Sequence, residues 1–280
     1  NILYYIILYM RNNNSIVDYY LNNRNEFFSD VPHDILIEKL IKLIPKYETI
    51  KVIIGIDVGC NVGNYIKNLL NICNEDNAKI LCFEPNPKNI PEIEKKIISN
   101  DNVELYKCAL SNENTYANFY NWRYSKENEI GNGIAGLRGG GHFICKTEVK
   151  KLEDVLDKRF PDQDVVIKLL KIDVEGNDSN VIKGFEKYLK KTEYIIFECS
   201  DSLDDDRGPG IKNPMKDIVD FLSKNHFDTY RIGTQKMVKV NDECWEEEYE
   251  KNKFWSNCFS IKKDNKLINS LIDSKYNYIN

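Results

Sequence analysis

Residues 53 to 65 read IIGIDVGCNVGNY, an apolar run that ends at Asp57 and is followed by Gly59 and Gly63. This pattern predicts a buried strand, a glycine loop and then a helix. Glycine is typical of positions where the backbone adopts a positive φ or approaches a ligand closely. The Asp-x-Gly-x-x-x-Gly spacing differs from the Gly-x-Gly-x-x-Gly of dinucleotide dehydrogenases. The loop therefore indicates a ligand site, but not the dinucleotide fingerprint.

A second carboxylate follows the next predicted strand. The apolar run at residues 80–83 ends at Glu84, which comes twenty-one residues after Gly63. A carboxylate in this place can accept hydrogen bonds from both hydroxyls of a ribose, as in doubly wound nucleotide-binding folds. Together, the glycine loop and Glu84 predict a small nucleoside ligand without a pyrophosphate. S-adenosylmethionine fits that description.

The rest of the chain alternates strand-like apolar runs with helical ones, which predicts an α/β fold with a doubly wound, mostly parallel sheet. Strands are predicted at 52–57, 79–84, 103–107, 166–172, 194–199 and 227–231, with a last pair of strands near 236–240 and 257–262. Helices are predicted near 63–71, 87–99, 151–158, 178–190 and 214–225. Ligands bind such sheets at the carboxyl ends of the strands, where the carboxylates are Asp57, Glu84, Asp173 and Glu198.

Three segments follow from this alternation. Residues 1–50 are expected to be an N-terminal extension that contains a helix, residues 51–262 the main domain, and residues 263–280 a C-terminal tail. Residues 111–150 are polar and then rich in glycine. A loop of that length usually has a function or is disordered, and we expect this segment to be such a loop.

The composition limits the kinds of partner. The chain has 280 residues, 42% hydrophobic and 30% charged, which suits one large domain with additions. A net charge of −5 and an isoelectric point near 5.5 argue against nucleic acid or an anionic membrane as partner. The eight cysteines include no Cys-x-x-Cys pair, so we expect a reduced, cytoplasmic protein without a zinc site. The apolar run at residues 2–10 falls short of the roughly 20 residues of a membrane span.

Candidate catalytic residues follow the later strands. Residues 170–176 read LKIDVEG, and Asp173 is expected to project into the cleft from the end of its strand. An acceptor hydroxyl must lose its proton during attack, and a carboxylate or histidine can accept it. Carboxylates that hold a divalent metal offer a second route, because the metal acidifies the hydroxyl. The candidate acids and bases are Asp173, Glu198 and His142, and the candidate metal ligands are Asp173, Glu175 and Glu198.

Each of these residues also has a structural alternative. Asp173 could cap the following helix through an Asx turn. Glu198 could form a structural ion pair, and His142 could be an exposed loop residue.

With these residues in place, the chain resembles the FkbM-type methyltransferases. The matching stretches, in the family's order, are 57–65, 83–87, 108–111, 152–156, 171–176 and 196–198. The resemblance implies a class I, Rossmann-like fold and S-adenosylmethionine as cofactor. It also implies O-methylation of a hydroxyl on a sugar, a glycan or a polyketide-like metabolite.

The resemblance also assigns residues to the parts of the cofactor. Asp57, Gly59, Asn61, Gly63 and Tyr65 would surround the methionine part. Glu84 would bind the ribose, and Ala109 and Leu110 would border the adenine. The same stretches add Cys60, Asn64 and Pro85 to the predicted cofactor-binding residues.

The sequence thus predicts an S-adenosylmethionine-dependent O-methyltransferase that acts on a hydroxyl of a sugar or glycan, with a small-molecule or glycan acceptor. Two alternatives stay open. One is a ribose 2′-O-methyltransferase of RNA caps, in which Asp173, Glu198 and nearby lysines imitate a Lys-Asp-Lys-Glu set; the acidic isoelectric point weighs against it. The other is a non-catalytic cofactor-binding module of a larger protein, which the absence of an initial Met leaves possible.

Overall fold

The computed structural model describes residues 21–23, 41, 44, 52–73, 78–121, 135–137, 141–161, 163–198, 215–233, 237–251 and 257–265. The predicted N-terminal helix and almost all of the predicted extension lie outside these residues, as does the predicted tail beyond residue 265. The division of the chain into these segments therefore stays a prediction.

The strands of the described residues are β1 (Val52–Val58), β2 (Ala78–Phe83), β3 (Val103–Tyr106), β4 (Ala109–Ser111), β5 (Thr115–Asn121), β6 (Ala135–Gly136), β7 (His142–Lys151), β8 (Val165–Ile172), β9 (Thr192–Glu198), β10 (Phe227–Ile232), β11 (Met237–Lys239) and β12 (Asn257–Lys262). The α-helices are α1 (Ile66–Cys73), α2 (Ile90–Ile97), α3 (Leu152–Arg159), α4 (Asp178–Lys183), α5 (Glu186–Leu189), α6 (Met215–Lys224) and α7 (Glu248–Lys251). A single turn of 3₁₀-helix covers Asp242–Cys244.

The main sheet has the strand order β11-β10-β12-β9-β8-β1-β2-β3. Strands β3, β2, β1, β8 and β9 run parallel to one another, whereas β12 is antiparallel to both β9 and β10. This arrangement confirms the predicted α/β fold with a mostly parallel, doubly wound sheet and a C-terminal antiparallel pair of strands.

The strands predicted near 236–240 and 257–262 are both present as β11 and β12, but they do not pair with each other. Strand β10 lies between them and pairs with each. The reason is burial: the middle of β12 is buried along four successive residues, which requires neighbours on both sides. Strand β11 has only three residues, and a short strand suits the edge of a sheet.

Helices cover both faces of the main sheet because β1 has apolar side chains on each face. Ile54 and Ile56 pack with α3, α4, α5 and α6 on one face. Ile53 packs with α1 and α2 on the other. A parallel strand buried on both faces places its carboxyl end at the edge of the layers, where loops can form a ligand site.

The segment predicted as a long loop at 111–150 instead contains most of a second sheet, with the order β4-β7-β5-β6. That prediction was wrong because buried and exposed residues alternate along the strands, whereas polar residues occur on both faces and hide this alternation in the sequence. Along β5, Phe119 and Asn121 are buried, whereas Tyr116 and Asn118 face outwards. The period of two marks a half-buried strand, but the outward polar residues lower the mean hydropathy of the segment.

The predicted helix at 178–190 is divided into α4 and α5. Gly184 ends α4, and a Cβ atom at Gly184 would lie only 2.2 Å from the carbonyl oxygen of Ser111 in β4. The second sheet therefore rests directly on the backbone of this helix end.

No helix in the described part of the chain is long and apolar enough to cross a membrane. Seven cysteines fall within the same part, and all seven are free thiols.

We expect Gly184→Ala to lower the free energy of unfolding by about 2 kcal/mol, because the new methyl group would overpack against backbone atoms. Urea unfolding of the ligand-free protein measures this. The matched control is Lys183→Ala, which changes an exposed neighbour in the same helix and should stay within about 0.5 kcal/mol of wild type. Equal stability of the two variants would contradict the close packing of α4 on β4.

Candidate functional site

A cleft lies where β1, β2 and β8 end. Its volume is about 620 Å³ when the open solvent at its mouth is included. Its walls come from the loops after these three strands and from the second sheet. The lining residues are Val58, Gly59, Asn61, Phe83, Glu84, Pro85, Asn86, Asn89, Cys108, Ala109, Leu110, Phe119, Gly136, Leu137, Asp173, Val174 and Asn177.

The glycine loop after β1 has the conformation that its sequence predicts. Gly59 and Gly63 have φ angles of +74° and +75°, a region that favours glycine. At Gly59 there is also no space for a side chain, since a Cβ atom would lie 1.9 Å from the carbonyl oxygen of Asp173. The Gly59 amide donates a hydrogen bond of 3.0 Å to the Phe83 carbonyl oxygen. The loop is thus held between the ends of β2 and β8.

Glu84 is fixed by backbone amides at the end of β2. Its Oε2 accepts a hydrogen bond from the Asn61 amide, and its Oε1 accepts one from the Asn86 amide, both at 2.8 Å. The side chain is buried, and burial raises the pKa of its carboxyl to about 7, although the two amide hydrogen bonds oppose this change. The Asn89 side chain also donates a hydrogen bond to this carboxylate. Because a carboxylate has about four lone-pair sites, it keeps capacity for one further donor.

A buried lysine joins two carboxylates beside the loop. The Lys171 Nζ lies 3.4 Å from Asp57 Oδ1 and 3.7 Å from Asp173 Oδ2. It also lies 4.6 Å from the centre of the Tyr65 ring. Burial raises the pKa of Asp57, and the Lys171 ammonium opposes this. Burial lowers the pKa of Lys171, but the two carboxylates more than offset it, so that its pKa is raised overall.

Asp173 and Asp57 have different access to the cleft. Asp57 is fully buried behind the loop, whereas the Asp173 side chain is 45% exposed and lines the cleft. Of these two carboxylates, only Asp173 is therefore accessible from the cleft. Asp57 contacts Lys171 from behind the loop.

The turn after Asp173 contacts the second sheet. Glu175 and Gly176 have φ angles of 56° and 96°. The next residue, Asn177, is buried and donates a hydrogen bond of 2.9 Å from Nδ2 to the Leu110 carbonyl oxygen in β4. A Cβ atom at Gly136 in β6 would lie 3.2 Å from the Glu175 Cβ. Two strands of the second sheet are therefore packed onto this turn.

Asp178 connects the turn to the end of β9. Its Oδ1 accepts a hydrogen bond of 3.2 Å from the Glu198 amide. Burial, followed by the nearby charge of Asp173, raises the pKa of Asp178 to about 7. Neither Asp178 nor Glu198 is among the residues that line the cleft.

The structure brings six of the eleven predicted cofactor residues to the cleft: Gly59, Asn61, Glu84, Pro85, Ala109 and Leu110. The other five, which are Asp57, Cys60, Gly63, Asn64 and Tyr65, belong to the loop or its support but do not line the cleft. Among these, Asn64 is exposed, and its Oδ1 accepts a hydrogen bond of 3.1 Å from the Lys96 ammonium.

Of the predicted catalytic residues, Asp173 lines the cleft and the other two do not. Glu198 is buried at the end of β9, and His142 is exposed at the start of β7. The three predicted metal ligands, Asp173, Glu175 and Glu198, are not brought together as a metal-binding cluster. Across the described ranges, no group of three or more His, Cys, Asp or Glu side chains is arranged to hold an ion.

Sequence reasoning missed ten lining residues. Asn86 and Asn89 follow Glu84 in the stretch EPNPKN, so their place beside a carboxylate that is predicted to bind a ribose was a usable signal. Phe119, Gly136 and Leu137 had no such signal, since they reach the cleft only through the second sheet.

Comparison with known proteins adds two relatives. The chain is 24% identical over 157 residues to the 2-O-methyltransferase NoeI of Sinorhizobium fredii (strain NBRC 101917 / NGR234), with 52% of this chain and 63% of NoeI covered. It is 30% identical over 157 residues to the methyltransferase sdnD of Sordaria araneosa, with 47% and 60% covered. The chain thus matches somewhat less than two thirds of the length of each relative.

Solved structures give more distant similarity. The methyltransferase FkbM of Methylobacillus flagellatus KT superposes with a TM-score of 0.41 at 10% identity, over 74% of this chain and 42% of that one. SMU.1697c of Streptococcus mutans, solved in complex with SAH, has a TM-score of 0.41 at 12% identity, over 83% and 98%.

The methyltransferase FkbM domain model matches residues 57–229, from the end of β1 into β10. This range contains the glycine loop, Glu84 and Asp173, and it confirms the resemblance predicted from the sequence. Because the match spans more than half of its residues, the chain belongs to the FkbM methyltransferase domain family.

Proposed function

We propose that this domain transfers a methyl group from S-adenosylmethionine to a hydroxyl of a sugar or glycan. The observation that carries the proposal is the cleft itself. In it, Glu84 with both oxygens fixed by amides, the backbone of Gly59 and the half-exposed Asp173 carboxylate all line one space. A ribose anchor and a candidate base thus share the same cleft.

The residues present fit this cofactor. Glu84 can accept a ribose hydroxyl, since its carboxylate keeps acceptor capacity beyond the Asn61 and Asn86 amides and the Asn89 side chain that donate to it. Gly59 lines the cleft, so a ligand there can contact the loop backbone. The carboxylates of Asp57 and Asp173 exceed the single charge of Lys171, which suits a cation. When bound, S-adenosylmethionine supplies a methyl group on a positively charged sulfur.

Asp173 is the proposed acceptor of the hydroxyl proton. Its side chain lies at the cleft surface, and Lys171 at 3.7 Å restrains it from one side. Most of the rate enhancement is expected from holding the acceptor oxygen in line with the methyl group. Glu198 and His142 rank behind Asp173, because neither lines the cleft.

Support for a hydroxyl as the methyl acceptor comes from one relative. NoeI is named a 2-O-methyltransferase, and its matched region covers 52% of this chain. We infer a hydroxyl next to the anomeric carbon as the first acceptor to test. Fold alone does not decide the substrate of such a domain.

Binding of S-adenosylhomocysteine should stabilise the wild-type protein against heat. Ligand at about 100 times its dissociation constant adds about 2.7 kcal/mol. Glu84→Ala should lose most of the shift, because the ribose loses its anchor. The matched control is Glu104→Ala, which removes a carboxylate in β3 that pairs with Arg159 at 2.6 Å outside the cleft. An equal shift in Glu84→Ala would contradict the ribose assignment, and no shift in wild type would contradict the proposed cofactor.

Affinity for S-adenosylhomocysteine should rise with pH. The ionised Glu84 carboxylate can accept a ribose hydroxyl, whereas the protonated form has lost an acceptor site. The pKa of the Glu84 carboxyl is about 7. Below this pH most of the protein carries a protonated Glu84, which must lose its proton before the ligand binds. For one group with this pKa, the dissociation constant falls about tenfold between pH 6 and pH 8.

Isothermal titration calorimetry across this pH range measures the profile. The control is Asp178→Asn, since the pKa of Asp178 is also about 7 but this residue does not line the cleft. The profile should persist in this variant. A flat profile in wild type, or one abolished by Asp178→Asn, would refute the role of Glu84.

Asp173→Asn should lower methyl transfer by about 100-fold or more, as expected for loss of a general base, while S-adenosylhomocysteine still binds. The assay follows labelled methyl transfer to nitrophenyl glycosides and to their 2-deoxy counterparts, which should be inactive. Full turnover in Asp173→Asn would remove its catalytic assignment. Loss of wild-type activity with EDTA and recovery with Mg²⁺ would instead assign Asp173 to a metal.

A further inference from the structure

The second sheet forms a wall of the cleft. Strand β4 contributes Ala109 and Leu110, β5 contributes Phe119, and β6 contributes Gly136, with Leu137 directly after it. The longest strand, β7, holds these strands together but does not itself line the cleft. Neither the family match nor the related proteins assign a role to the β5 residue.

Two contacts locate Phe119 within the cleft. In the register of β5 and β7, Phe119 lies opposite Cys145. The Cys145 Sγ in turn lies 3.7 Å from the Pro85 carbonyl oxygen, immediately after Glu84. Phe119 is therefore on the Glu84 side of the cleft. Gly136 lies on the opposite side, against the turn that follows Asp173.

The pairing of β5 with β7 is irregular next to Phe119. The register between β5 and β7 shifts between Phe119 and Tyr120, so that Ile144 has no opposite residue. Such bulges bend a strand and redirect a side chain, and they are common beside functional sites. Phe119 is buried, while Tyr116 on the other face of β5 is 66% exposed.

Phe119 shares the cleft lining with several apolar residues. Among them are Phe83, Pro85, Cys108 and Ala109. A flat heterocycle such as adenine offers two apolar faces, and an aromatic side chain binds such a face by stacking. The methionine chain of the cofactor has no comparable surface.

We propose that Phe119 is the aromatic wall of the adenine pocket, so that the second sheet binds the adenosine half of the cofactor. This inference rests on the proposed function. It makes β5 a cofactor-binding element and leaves the Gly136 side of the same sheet for the acceptor. Phe119 contacts the base, whereas Glu84 holds the ribose next to it.

The test compares two ligands and three variants by calorimetry. S-adenosylhomocysteine contains both halves of the cofactor, whereas 5′-methylthioadenosine lacks the amino-acid part. Phe119→Ala should weaken both ligands by the same factor, about tenfold. Phe119→Leu keeps an apolar side chain, protects the fold and should weaken both ligands by a smaller common factor. Tyr116→Ala removes an aromatic ring from the opposite face of β5 and should change neither affinity by more than about twofold.

The outcomes separate this inference from the proposed function. Wild type that binds neither ligand would refute the proposed function and the inference together. Wild-type binding with unchanged affinities in both Phe119 variants would overturn the inference alone. So would a loss confined to S-adenosylhomocysteine, since Phe119 would then face the methionine half. If Phe119→Ala does not fold, Phe119→Leu decides by the same criteria.

Discussion

The close approach of two backbones organises the cleft. The carbonyl oxygen of Asp173 occupies the place that a side chain at Gly59 would need. The Asp173 amide also donates a hydrogen bond of 3.0 Å to the Val58 carbonyl oxygen. This contact joins the ends of β1 and β8, and through the Asn61 amide it brings Glu84 from the end of β2 to the same place. Three strand ends therefore form one continuous surface for a ligand.

Two buried carboxylates are stabilised in different ways, and the difference matches their positions. Glu84 is held by backbone amides, which leave it accessible from the cleft. Asp57 is held by the Lys171 ammonium and stays behind the loop. Burying an ion pair seldom adds stability, because desolvation offsets the attraction between the charges. The presence of the buried pair of Asp57 and Lys171 is better explained by the position that it gives to the ammonium. The same ammonium also lies beside Asp173 and restrains that side chain.

The second sheet is the part of the molecule that turns an open sheet edge into an enclosed site. It is anchored on the main sheet at both sides of the cleft, through Cys145 near Pro85 and through Leu110 bonded to Asn177. Gly184 adds a third anchor beneath β4. Because these anchors are fixed to the same elements that carry the cofactor residues, the wall and the floor of the cleft are positioned together.

The sequence by itself determined the alternation of strands and helices, the glycine loop and the carboxylates at the strand ends. These are local properties, because hydrophobic period, glycine spacing and the residue that ends a strand are read along the chain. The position of Asn86 beside the cleft could have been predicted in the same way, because it lies two residues after Glu84.

Only the tertiary structure decided which of these residues share the cleft. The sequence offers Glu198 and His142 as further candidate acids or bases behind Asp173, yet they lie outside the cleft lining. Phe119 is fifty-eight residues from Asn61 in sequence and lines the same cleft. The pairing of strands that are distant in sequence depends on how their side chains pack on both faces of the sheet. Residues that meet through such pairing carry no local sequence pattern that predicts the contact.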